Sequence, residues 1–79
     1  MNRDEVKEIV KEARKKGQIP TLTDAHLQQA NLQGLDLSGV DLKRADLWET
    51  NLKNANLENS NLIGADLGYA NLEGANLKG

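Results

Sequence analysis

Few side chains in this chain are equipped for chemistry. The 79 residues include one histidine, His26, no cysteine, and only two aromatic residues, Trp48 and Tyr69. Without cysteine there is no thiol nucleophile, no disulfide and no thiolate metal site. Asp36, Asp41, Asp46 and Asp66 offer carboxylates, and acid–base work needs a pKa moved by burial or by a charged partner. All four recur at one position of a five-residue period, which explains them without a reaction. Ser38 and Ser60 have no nearby base in the sequence to activate them. No glycine-rich phosphate loop with a lysine occurs. One imidazole beside surface acids makes a poor metal site, so no catalytic, metal or cofactor residue is expected. Trp48 and Tyr69 are of another kind, because such residues concentrate in protein-recognition hot spots.

The elements that must carry these residues follow from the period. Leucine recurs at every fifth residue from Leu27 to Leu77, and Leu22 fits the same register. Each leucine follows Asp or Asn, apart from Leu27 after His26 and Leu22 after Thr21. Two positions before each leucine stands a small or apolar residue, such as Ala25, Ala30, Leu35, Val40, Ala45 or Thr50. A spacing of five matches neither the 3.6 of a helix nor the 2 of a strand. In extended geometry the leucine and the residue two before it share one face, while the Asp or Asn between them points away. The following pair, such as Gln33-Gly34, Ser38-Gly39 or Glu73-Gly74, then turns the chain, as Gly and Asn do cheaply. The implied shape is a coil with short sides and corners, apolar inside and polar outside.

The runs Ala45-Asp46-Leu47, Ala55-Asn56-Leu57, Ala65-Asp66-Leu67 and Ala70-Asn71-Leu72 resemble the A(D/N)LXX motif of pentapeptide-repeat proteins. The resemblance covers residues 21–79 and implies an all-β solenoid, a right-handed quadrilateral β-helix of about three coils with four pentapeptides in each. Residues twenty apart would then stack, giving leucine columns such as Leu32/Leu52/Leu72. The same stacking sets His26 above Asp46 and Asp66, and Trp48 one coil from Gly68 and next to Tyr69. Trp48, Tyr69, His26 and Glu49 are therefore the candidate protein-binding surface. A packing role, with Trp48 covering bare Gly68 backbone and stacking on Tyr69, stands beside that reading. Lys53 over Glu73 and Glu58 over Lys78 would oppose unlike charges.

Residues 1–20 differ. Val6, Ile9, Val10 and Ala13 form one apolar helical stripe. Asn2 with Glu5 reads as a helix start, and Lys15, Lys16 and Gly17 suit its last turn and stop. Pro20 forces an extended entry to the repeats. The chain thus divides into an N-terminal α-helical cap and linker, 1–20, and a β-helix, 21–79. The cap reading follows from the exposed cross-section that a solenoid end presents. A helix with six bases against four acids and no aromatic residue is poorly made for a membrane surface. No apolar run reaches the ~20 residues of a membrane span and no signal-peptide pattern opens the chain, so a cytoplasmic location is expected.

The opposite end carries no such device. Leu62, Leu67, Leu72 and Leu77 form a candidate self-association end, and a tail-to-tail homodimer through the C-terminal coil is expected there. The functional expectation is a non-catalytic structural or protein-interaction module of unknown protein partner, with no cofactor, no direct nucleic-acid contact and no membrane. The resemblance implies an alternative, since fluoroquinolone-resistance factors of that family mimic DNA and bind type II topoisomerase (gyrase). Residues 21–79 hold eight acids and four bases, a net of −4, which is a weak field for mimicry. A near-ideal repeat also fits an engineered or truncated scaffold.

Overall fold

The computed structural model describes residues 1–79. Its single regular element is α1, Arg3–Lys15. Asn2 caps it: the side-chain oxygen accepts from the Glu5 N–H at 2.9 Å, and the Glu5 carboxylate accepts from the Asn2 N–H at 3.2 Å. This reciprocal pair satisfies donors that the first turn otherwise leaves free. The helix stops at the Gly17 turn, where φ is +67°. Val6 and Val10 are buried and Ile9 half-buried, so the expected stripe is the face that meets the rest of the molecule. No helix is long and apolar enough to cross a membrane.

From Leu22 onward one unit repeats. The N–H three residues after each leucine donates to the leucine carbonyl, as in Ala25 to Leu22 at 3.0 Å and Ala75 to Leu72 at 3.0 Å. The second residue after each leucine has positive φ, from Asp24 through Gly34, Asn54 and Gly74. That combination makes a type II turn, which requires φ above zero at its third position. Each turn occupies four residues of the five and leaves only the Asp or Asn free to pair. The sides of the coil are consequently single bridge residues, not the extended strands expected from sequence, and no continuous sheet forms.

Eight parallel bridges join residues twenty apart, beginning with Thr21 to Asp41 and His26 to Asp46 and ending with Asn56 to Asn76. Residues 21, 41 and 61 thus lie one below another, as do 26, 46 and 66, and the leucines stack in the columns expected. Two N–H groups of each repeat donate downward, as Leu27 to Asp46 (2.9 Å) and Gln29 to Trp48 (2.9 Å), and one donates upward, as Asp46 to Ala25 (2.9 Å). The leucines from Leu22 to Leu57 are buried in one core cluster with Val6 and Val10. Thr50 is the one polar side chain inside, and its hydroxyl donates to the Leu27 carbonyl at 2.7 Å. Leu35 and Val40 stand where lower levels have alanine or serine, and they add apolar volume in the uppermost level. The molecule measures 33 × 24 × 22 Å.

The N-terminal segment also bonds to the upper edge of the repeats. In the middle level the carbonyls of Asp46, Asn51, Lys53 and Glu58 accept from the level above. Their counterparts at the top take donors from the N-terminal segment. The Met1 ammonium donates to His26 O at 3.0 Å, Arg3 to Asn31 O at 3.3 Å and Gln33 O at 2.8 Å, and Arg14 to Ser38 O at 2.8 Å. Pro20 is already part of the ladder, since its carbonyl accepts from the Asp41 N–H at 2.9 Å.

Candidate functional site

Trp48 and Tyr69 meet at one corner of the solenoid. Trp48 is the first turn residue after Leu47, and Tyr69 the second after Leu67, one level below. Asp46 and Asp66 shape these turns: their side-chain oxygens accept from the Trp48 N–H at 3.1 Å and the Gly68 N–H at 2.9 Å. The two rings lie 5.9 Å apart between centroids at an interplanar angle of 86°, an edge-to-face pair. Trp48 lies against Gly68 as the stacking required; a Cβ there would come within 2.7 Å of the indole Cδ1. Trp48 keeps 39% of its surface exposed and Tyr69 84%. Packing therefore accounts for one side of the indole and for little of the tyrosine.

The other two candidates are placed differently. Glu49 turns toward the level above and accepts from Gln29 Nε2 at 2.8 Å. His26 is exposed at the upper rim, in the column of Asp46 and Asp66, and its imidazole makes no hydrogen bond. The structure thus joins Trp48 to Tyr69 and leaves Glu49 and His26 at the margin of the same side.

The backbone adds an observation that the sequence pattern did not disclose. Three of the four corner columns contain Gly, Asn or Asp at the positive-φ position in at least two of their levels. The fourth column, Gln29, Glu49 and Tyr69, has none, with φ of +61°, +55° and +54°. Left-handed backbone costs an ordinary residue about 1–2 kcal/mol. Gln29 and Glu49 recover part of this through their mutual hydrogen bond. Tyr69 has only its contact with Trp48. Strain held in this way concentrates at functional sites.

Charge is uneven around the solenoid. Along 25–31, 45–51 and 65–71 the chain has three carboxylates, Asp46, Glu49 and Asp66, and no lysine or arginine. The nearest cation along the chain, Arg44, is held at the preceding corner by Asp24, with nitrogen–oxygen distances of 2.8 and 3.1 Å. That hydrogen bond holds the Asp24 carboxyl below its ordinary range and raises Arg44. This pair was readable from stacking, since 24 and 44 are twenty apart. The pairs the sequence suggested, Lys53 with Glu73 and Glu58 with Lys78, do not form; Glu58 instead accepts from Asn76 Nδ2 at 3.3 Å. Long side chains on a convex surface lose more by being held than a screened contact returns.

A family model for pentapeptide repeats matches in eight copies over residues 21–59 and 41–79. This chain belongs to the pentapeptide-repeat proteins. Among solved structures, HetL, a pentapeptide-repeat protein involved in heterocyst differentiation regulation from the cyanobacterium Nostoc sp. strain PCC 7120, is 36% identical over 70% of this chain, with a TM-score of 0.69. The chain spans only 27% of the length of HetL. Another pentapeptide-repeat protein of Nostoc, alr5209, aligns at 27% identity over 95% of this chain and 75% of its own, with a TM-score of 0.43. No curated protein matches the sequence. The family match and the likeness to HetL give the fold of this pentapeptide-repeat chain as a right-handed β-helix.

The lower edge of the repeats is the other candidate. Leu62, Leu67 and Leu72 are half-buried and Leu77 is 49% exposed, while their counterparts above are covered. Here the N–H groups of Leu62, Gly64, Leu67, Tyr69, Leu72, Gly74, Leu77 and Gly79 have no acceptor, and the carbonyls of Ser60, Ala65, Ala70 and Ala75 have no ladder donor. Donors outnumber acceptors along this edge. A hollow lined by Leu57, Leu62, Ile63 and Leu77 opens beside it, and a smaller one lies between α1 and Leu35 and Leu37. Neither includes Trp48 or Tyr69, which form a convex surface.

Proposed function

We propose that this pentapeptide-repeat chain is a non-catalytic protein-interaction module whose contact surface is the corner of Trp48 and Tyr69, with Glu49 and His26 at its margin. The observation that carries this reading is Tyr69: a large aromatic residue, 84% exposed, kept on left-handed backbone where Gly or Asn would sit without cost. We take the solenoid to be four-sided with about three coils, residues 21–79, and residues 1–20 to be its cap and linker. The test is capture of protein partners from the source cell by the chain and by its Trp48→Ala and Tyr69→Ala variants. Specific capture that both variants abolish, with the variants still folded, supports the reading. Capture unchanged in both removes this corner from the function.

Self-association through residues about 60–79 is a second reading, favoured by the uncovered leucines of the lower edge. A two-fold contact there would bring excess N–H groups face to face, so it would rest on leucine burial more than on ladder bonds. Mimicry of DNA toward a type II topoisomerase is less well supported. The longest dimension is 33 Å, and three of the eight acids of the repeats cluster on one side. A gyrase supercoiling assay without inhibition by the purified chain would dismiss it.

A further inference from the structure

We infer that the Trp48–Tyr69 corner takes a cationic side chain, so that the partner presents an arginine- or lysine-bearing segment to this side of the solenoid. The inference rests on the binding-surface reading above and names the chemistry of its occupant. Two rings at 86° with centroids 5.9 Å apart present ring surface to solvent on a convex corner of the solenoid. A guanidinium or ammonium over a Trp or Tyr face within about 6 Å is drawn to the ring's negative face. The neighbourhood favours the same sign. Asp46, Glu49 and Asp66 are the only formally charged side chains among the repeat residues of this side. The Met1 ammonium and Arg3 at its upper rim are held by the His26, Asn31 and Gln33 carbonyls, and Arg44 at the preceding corner by Asp24. One oxygen of Asp66 is used by the Gly68 N–H, and no other donor bonds the carboxylate. An anionic segment would meet three uncompensated carboxylates here, and an aliphatic one would leave them unpaired. Exposed rings, three carboxylates and the commitment of the nearby cations to other acceptors thus converge on one kind of ligand.

Trp48 is the only tryptophan, so its fluorescence and indole N–H resonance report on this corner alone. The probes are four capped pentapeptides of the form Gly-X-Gly-X-Gly, with X as arginine, citrulline, leucine or glutamate, titrated against the full chain. The arginine peptide should give a saturable change at Trp48. Citrulline, equal in shape but uncharged, should bind at least about two- to fivefold more weakly, the range expected for a solvent-exposed cation–π contact. Tyr69→Asn should weaken the arginine peptide by a similar factor without lowering the melting temperature, because Asn tolerates the backbone angle that tyrosine strains. Asp66→Asn with Glu49→Gln, which keeps the acceptor oxygens, should weaken binding and flatten its salt dependence. Equal binding of the citrulline or leucine peptide, or tighter binding of the glutamate peptide, overturns the cationic occupant and leaves the contact surface standing. Silence of Trp48 toward all four also overturns the occupant, and the contact surface is then decided by the capture experiment. Retained affinity in Tyr69→Asn and in the double variant together would overturn it as well.

Discussion

Each residue of this chain answers to its place in a five-residue unit, and substitutions separate accordingly. Leu52 is fully buried at the centre of its column. Leu52→Asp places an unpaired charge there and should abolish folding, read as loss of the native circular dichroism spectrum. Thr50→Val removes the hydroxyl that ties the interior to the Leu27 carbonyl; that carbonyl still accepts from Ala30, so the expected loss is about 1 kcal/mol in urea denaturation. Gly68→Ala is a different experiment. The backbone there permits alanine, yet the new Cβ would meet the indole, so Trp48 should swing outward, with a red-shifted emission and little change in stability. The leucine ladder and the fit of Trp48 to Gly68 could both be read from sequence, because they follow from register alone. The left-handed cost at Tyr69 could not, since it depends on which residue of the unit turns the corner. The Lys53 and Glu58 pairings failed for a related reason: register fixes where a side chain starts, not where a long flexible one ends.

At the scale of elements, the helix was legible in outline and its attachment was not. Asn2, Glu5 and the Val6–Val10 stripe announced a capped amphipathic helix. That Met1, Arg3 and Arg14 would supply hydrogen bonds to carbonyls of the uppermost level required knowing that this edge presents acceptors. Arg3→Ala should therefore cost about 1 kcal/mol, a charged hydrogen bond discounted for exposure, although the residue lies outside the core. Deleting residues 1–16 should expose Leu35 and its neighbours and cause aggregation, visible by light scattering. The attachment of α1 also has a pH limit. Asp36 is held below its ordinary pKa first by the Ser38 hydroxyl, then by the Ser38 N–H, with Arg14 adding to both. A carboxyl whose pKa is lowered on folding contributes stability above its unfolded value of about 3.9, and loses it as pH falls through the lower folded value. Thermal melts should hold steady down to about pH 4 by that reasoning and then decline. Asp36→Asn should make the decline shallower.

For the whole molecule, the stack with a period of twenty is legible in the repeat and its resemblance, while the short sides shrink to single bridge residues because each turn takes four residues of the five. Its cohesion is distributed, since each level touches only the next. The lower edge is the least covered part of that stack. If leucine burial there draws two copies together, sedimentation at micromolar concentration should show a dimer that Leu77→Asp dissolves while the upper levels stay folded. A monomer at that concentration would assign the open edge no role in self-association.

The unequal count of rungs, two N–H groups pointing down for each one pointing up, has an electrical meaning. The peptide dipoles along the stack cancel only in part, one opposing every two, and leave a net moment with its negative pole at the α1 end and its positive pole at the lower edge. The Met1 ammonium, Arg3 and Arg14 gather at the negative pole, and this field helps hold them. A protein of net charge −2 consequently keeps one pole that attracts anions. Dissolved salt should loosen the lid at one end and screen the lower edge at the other, so the two ends of the molecule should respond to ionic strength together.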